Sequence, residues 1–493
     1  MIKRIGAGLL LALTALAAAL AVNTLRQSSR QIPVAPIAPI QFDVQAAAQR
    51  LSGAVALPTV SFDDRPQAGA QEFARLHAYL ARHYPRAHAV LEREIVGGHS
   101  LLYTWQGADP GARPIMLMAH QDVVPVAPGT EEQWRAGPFS GAIRDGFVWG
   151  RGAWDDKGNL CAILEAVELL AAQGFRPRQT VYLAFGHDEE TGGSNGARAI
   201  AALLQARGVR LEFVLDEGLV ITDGVIEGVD RPVALIGVAE KGYLTVALTS
   251  SAPPGHSSMP SRPSAIGMLS QALARLEERQ MPAALRGVAE EMFATLAPEM
   301  SGINRLLLSN LWLFGPLVQR HLERSPGTNA VLRTTTALTV VHAGEKENAL
   351  PGRAQALVNF RLLPGDSQER VLAHVRQTIA NDDIQVAPRP GISSEPSPVS
   401  PSAAPAFRLI SRTVRELFPG TIVAPGLMIG GTDSRHMAPI ADAIYRFSPV
   451  RARAEDLARF HGTDERISVD NYAELIRFYH RLLGNAAQGK ETQ

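Results

Sequence analysis

Residues 186–193 read GHDEETGG, so Glu189 and Glu190 stand side by side directly after the apolar run TVYLAFGH. Adjacent carboxylates repel, and holding two of them together implies a nearby cation or a proton that moves between states. Three further stretches carry ligand-type residues at comparable points. HQDVV has His120 and Asp122 after one strand-like run, GRGAWDDKG has Asp155 and Asp156 ahead of a helical pattern, and LDEG has Asp216 and Glu217 at the close of VRLEFVLDEG. Each alone reads equally well as a helix cap or a satisfied polar residue. Together they supply an imidazole and several carboxylates, the ligand set of a Zn²⁺ or Mn²⁺ hydrolytic centre.

The elements that must position these groups follow from hydrophobic periodicity. RPIMLMAHQDVVPV contains a compact apolar run that suits a buried parallel strand. GNLCAILEAVELLAAQGF is helical, TVYLAFGH a strand, SNGARAIAALLQARG a helix and VRLEFVLDEG a strand. This alternation predicts a three-layer α/β domain, in which ligands at the carboxyl ends of neighbouring parallel strands converge on one crevice. Near residue 240 the pattern changes. KGYLTVALTSSA alternates with period two, and helices mixed with the strands RTTTALTVVHAG and RAQALVNFRLLPG predict an inserted α+β unit. The expected organisation is a catalytic domain over 41–240 and 391–493, interrupted by an insert over 241–390. The apolar run at 306–320 is a candidate groove lining or membrane contact.

Lys plus Arg and Asp plus Glu number 48 each, so no bulk field favours nucleic acid, and no basic stripe with interleaved aromatics is present. The single cysteine, Cys161, cannot form an internal disulfide and reads as a small buried residue in its helix. At the N-terminus, Lys3 and Arg4 precede an uncharged apolar stretch from Ile5 to Val22. That is the pattern of a signal peptide or membrane anchor over 1–24, followed by a proline-spaced linker over 25–40. Flanking positive charge then predicts an exported body, periplasmic or extracellular.

The motifs HxDVVP, GRGxxDDKG, DEExGG, GHSSxP, NALPGRA, GGTDSR and the late HGTDE together resemble the M20 metallopeptidases, over roughly residues 40–490. The similarity is to the branch containing carboxypeptidase S and the N-acyl amino acid hydrolases/synthases. It implies a zinc-exopeptidase-like catalytic domain, with the insert acting as a lid and dimerisation domain. It also implies two Zn²⁺ per subunit, with Co²⁺ or Mn²⁺ as substitutes, and a small peptide or N-acyl amino acid as substrate. A homodimer and membrane attachment through residues 5–22 are further expected partnerships.

Carried over residue by residue, the resemblance implies His120 and Asp216 on one ion, Asp155 bridging, and Glu190 and His461 on the second. Glu217 competes with Asp216, and His436 of DSRHM competes with His461. Asp122 would orient the His120 ring and Glu189 would be the general base. His256 in the insert would stabilise an oxyanion. Arg361 and Arg435 are candidates for gripping a substrate carboxylate, and Asn348 for an amide hydrogen bond to the substrate or for capping a turn. The implied activity is hydrolysis of an amide bond beside a free carboxylate; the alternative is a non-catalytic relative that serves as a scaffold or receptor.

Overall fold

A computed structural model describes residues 2–62, 65 and 69–488. Its centre is an eight-stranded mixed sheet, whose order runs Glu92–Val96, Ser100–Trp105, Val181–Gly186, Ile115–His120, Phe213–Thr222, Ile444–Ala452, Val233–Glu240, Ile422–Met428. The Ile115–His120 strand lies parallel to both its neighbours, the Val181–Gly186 and Phe213–Thr222 strands. All six of its residues are buried, because successive side chains enter opposite cores. Ile115, Leu117 and Ala119 face one, packed with helices Val44–Val55, Lys157–Ala172, Pro405–Leu417 and Val469–Ala487. Met116 and Met118 face the other, with helix Ala197–Ala206. Cys161 lies in the first core, fully buried, and burial pushes its thiol up to about 12.

A separate four-stranded antiparallel sheet, ordered Thr335–Ala343, Arg353–Leu362, Gly242–Ser251, Ile384–Pro388, carries helices Ala265–Glu278 and Gln368–Ile379. The period-two pattern has its expected result, since Leu244, Val246 and Leu248 share one core with Ala354, Ala356, Val358 and Phe360. The helical stretch between these strands behaves differently. Met292, Phe293, Leu296 and Met300 pack on Val233, Ile422 and Ala424 of the larger sheet, so this stretch is held by that sheet's edge.

Two local features escape periodicity. Glu92–Val96, a stretch without a strand-like apolar pattern, forms a strand that pairs with Ser100–Trp105. The LDEG segment, expected at a strand end, lies inside a strand that runs to Thr222. Asp216 pairs with Arg446 but Leu219 with Phe447, so Glu217 and Gly218 form a bulge. Gly218 is required there: its φ is +144°, and a Cβ would sit 2.9 Å from the Arg446 Cβ.

Near the chain's end, Arg481 donates twice to the buried Glu416 carboxylate, at 2.7 and 2.9 Å, while Asn485 and Arg412 donate at 2.9 Å each. Burial by itself would raise this carboxyl, but the hydrogen bonds outweigh it and hold it at about 2. A depressed carboxyl contributes stability above its unfolded value of 4.5 that is lost as pH falls towards 2. The gap in melting temperature between wild type and Glu416→Gln should therefore be widest above pH 5 and close by pH 2, as thermal melts across that range would show.

Candidate metal centre

Two parallel strands and two turns build the centre. His120 ends its strand, Glu189 and Glu190 form a short 3₁₀ turn after Gly186, and Asp155 lies in the turn before helix Lys157–Ala172. The His120 Nε2 lies 2.9 Å from Asp155 Oδ1. Asp155 Oδ2 lies 2.7 Å from His461 Nε2, which is 3.3 Å from Glu190 Oε2. Ligand atoms of His120, Asp155 and Glu190 all fall within 4.8 Å of one another.

The donor set fits a divalent cation. Glu190 Oε1 is buried with no hydrogen-bond partner among the described residues. Burial together with the Asp155 charge raises the Glu190 carboxyl, and burial with Asp155, Asp156, Asp216 and Glu189 raises Glu217 well above the ordinary range. At His461, hydrogen bonds to Asp155 and Glu190 push the imidazole up to about 10. At His120, burial opposes the charged ring, yet Asp122 and Asp155 outweigh it and raise its basicity. So many anionic groups in one crevice generate a negative potential that a cation relieves.

Asp122 sits beneath the cluster, fully buried. The His120 Nδ1 is 2.9 Å from the Asp122 backbone carbonyl and 3.5 Å from its carboxylate Oδ1. The carboxylate itself accepts the backbone N–H of Glu189 at 3.2 Å, the N–H of Glu190 at 3.1 Å and the Ser61 hydroxyl at 2.7 Å. Asp122 thus ties the glutamate turn to the histidine strand, more than the ring-orienting role expected of it. The Glu189 side chain makes no hydrogen bond to a described residue. Its burial, with Asp433, Glu190 and Asp122 adding to it and His120 opposing, raises its carboxyl well above the ordinary range.

The remaining expected site residues are distributed unevenly. Asp216 is buried, but its oxygens accept the N–H groups of Glu217 at 3.0 Å and Ser434 at 2.8 Å, outside the three-residue cluster. His436 points its Nε2 at the Gly192 carbonyl, 3.0 Å away, and the Arg435 Nη2 donates to the same oxygen at 3.1 Å. Arg361 lies on the smaller sheet with its guanidinium 4.7 Å from the Tyr243 ring centroid, near enough to feel the Arg435 charge. His256 and Asn348 are neighbours on the insert: His256 pairs with Ala349, and Ser257 N–H donates to the Asn348 carbonyl at 3.1 Å. His256 is exposed, its Nδ1 2.8 Å from Ser258 Oγ, and it touches none of the cluster residues.

Two acidic residues were missed. Glu465 is fully buried and its Oε1 accepts the N–H groups of Gly152, Trp154 and Asp155, at 2.9, 3.0 and 3.1 Å. Its Oε2 meets Arg151 at 2.6 Å, so Glu465 moulds the turn that presents Asp155. The only sequence signal was its place in HGTDE, four residues after His461. Asp433 of GGTDSR is buried with both carboxylate oxygens unpartnered among the described residues.

Comparison with known proteins settles the family. Residues 116–485 match the profile of peptidase family M20/M25/M40. The chain belongs to that family. Among curated proteins it is 43% identical over 444 residues to the N-fatty-acyl-amino acid synthase/hydrolase PM20D1 of Xenopus tropicalis, covering 89% of this chain and 85% of that one. It is 40% identical over 476 residues to the probable carboxypeptidase S-like 2 of Dictyostelium discoideum, covering 94% and 91%. Among solved structures it resembles the M20 metallo-carboxypeptidase Sso-CP2 of Sulfolobus solfataricus, with TM-score 0.66 and 18% identity over 90% of this chain and 99% of that one. This M20 protein is accordingly an enzyme, a metal-binding hydrolase in the carboxypeptidase S-like branch, with the family's catalytic and accessory architecture. The scaffold alternative does not stand beside that relationship.

Proposed function

We propose that this M20 protein is a di-zinc amidohydrolase that cleaves the amide bond beside a free carboxylate, in N-acyl amino acids or at the C-terminus of peptides. The convergence of His120, Asp155, Glu190 and His461 beside an unengaged Glu189 carries this reading. His120 and Asp216 would hold one Zn²⁺, Glu190 and His461 the second, and Asp155 both. Zinc bound there would supply an acidified water and a polarised amide carbonyl.

Within this scheme Glu189 takes the proton from the attacking water and passes it to the departing nitrogen. Asp122 holds the turn that aims it. His256, carried on the insert, donates to the developing oxyanion when the insert closes over the substrate, Arg361 and Arg435 bind the substrate carboxylate, and Asn348 offers the substrate an amide hydrogen bond. We read 241–390 as a lid and dimerisation domain inserted in a zinc-exopeptidase-like three-layer domain. The Ile2–Arg26 helix, 25 residues with none buried and long and apolar enough to cross a membrane, we read as the export signal or anchor.

The relatives named for fatty-acyl amino acids and for carboxypeptidase activity support the two substrate classes. Chelation should abolish amine release and added Zn²⁺ restore it. A long-chain N-acyl amino acid should exceed a blocked dipeptide in kcat/KM by more than about tenfold, roughly 1.4 kcal/mol of pocket preference. The reverse ratio selects the carboxypeptidase reading, and turnover of neither by zinc-loaded protein overturns both.

A further inference from the structure

The apolar run at 306–320 has no part in the scheme above. It forms two short helices, Gly302–Ser309 and Leu311–Leu322, joined at Asn310. Residues 306–319 carry no charge, with Arg305 on one side and Arg320, His321 and Arg324 on the other. Ile303 is 62% exposed, Trp312 62% and Leu317 59%, which leaves a contiguous helical pair with large apolar side chains in the open.

The Ile2–Arg26 helix packs against the first of this pair, Gly302–Ser309, and is hydrogen-bonded to the joint at Asn310. Its contact face is Leu16, Leu20, Asn23 and Thr24, half-covered at helical spacing, while most of its remaining length is exposed. Asn310, fully buried, is the joint. Its Nδ2 donates to Thr24 Oγ1 at 3.1 Å and the Leu20 carbonyl at 3.3 Å, and its Oδ1 accepts from Asn23 at 3.2 Å and the Trp312 indole at 3.3 Å. Behind the joint, the Gln31 side-chain amide pairs with the backbone of edge residue Val423, at 2.9 and 2.7 Å. The N-terminal helix is therefore held to the body at a set place.

We propose that helices Gly302–Ser309 and Leu311–Leu322 lie in the outer surface of the lipid bilayer that the N-terminal helix crosses, with Ile303, Trp312 and Leu317 among the acyl chains. The inference rests on the anchor reading of that helix. A 25-residue helix is about 37 Å long, enough to span the hydrocarbon of about 30 Å. Because Asn310 grips its last turns, the helical pair sits at the level where that helix leaves the membrane. An indole whose N–H is satisfied within the protein, beside arginines able to reach headgroups, is the composition of such an interfacial segment.

The protein carries its own probe. Of its five tryptophans, Trp105, Trp134, Trp149 and Trp154 are buried and Trp312 alone is exposed. Full-length protein is reconstituted in phosphatidylcholine vesicles with or without acyl-chain bromination, which quenches indoles in contact with the chains. Brominated vesicles should lower the emission of wild type, and Trp312→Phe should abolish that loss. Equal quenching of both proteins, or of neither, overturns the inference. An alkaline wash separates the two levels. A chain retained in the membrane with Trp312 unquenched defeats only the helical pair's contact, whereas release of the chain defeats the anchor reading and this inference with it.

Discussion

Glu189→Gln is expected to bind zinc like the wild type and to lose catalysis by about 10³–10⁴-fold in kcat, the upper part of the range for a single proton-transferring group. The loss would be large because, in the proposed mechanism, one carboxyl serves twice, accepting the water's proton and returning it to the amine. The neighbouring carboxylates explain the division of labour. Glu190 spends Oε2 on His461 at 3.3 Å and keeps Oε1 buried without a partner among the described residues, the posture of a ligand. Glu189 has no such engagement, and burial among Asp433, Glu190 and Asp122 makes it retain a proton at higher pH than an ordinary glutamate. Metal content and single-turnover rates on one preparation check the point. Full turnover by Glu189→Gln would transfer the proton work to another group.

If the centre holds two zinc ions as proposed, His461→Ala should lower bound zinc from two equivalents to one and cut activity by more than about 100-fold, exceeding the ~10–100-fold cost of losing a mere outer partner of a ligand. His436→Ala should leave metal content unchanged. The basis is direct: the His461 Nε2 reaches Asp155 and Glu190, whereas the His436 Nε2 is occupied by the Gly192 carbonyl. His461 also occupies the left-handed region, φ +57°, which a histidine adopts only when its surroundings require it. Elemental analysis of both variants after zinc loading distinguishes them. Loss of zinc from His436→Ala alone would reverse the assignment.

Much of this protein is legible in one dimension because much of its chemistry is local. The burial of Ile115–His120 on both faces is written as an unbroken apolar run, and the alternation of Gly242–Ser251 as a period of two. Side chains that end such runs must emerge at the sheet's carboxyl edge, so His120 and the Glu189–Glu190 pair could be placed from pattern. The tertiary structure decided what depends on contacts between distant segments. Only folding brings Glu465 under the Asp155 turn, turns the Asp122 carboxylate onto the glutamate backbone, and selects His461 over His436 for contact with Asp155 and Glu190. It also decided that Met292, Phe293, Leu296 and Met300 pack on the large sheet, and that Asn310 clasps a helix nearly three hundred residues away. Periodicity encodes which face of an element is apolar but not which partner covers it, because that choice is made by shape and by hydrogen bonds that form once the chain has closed.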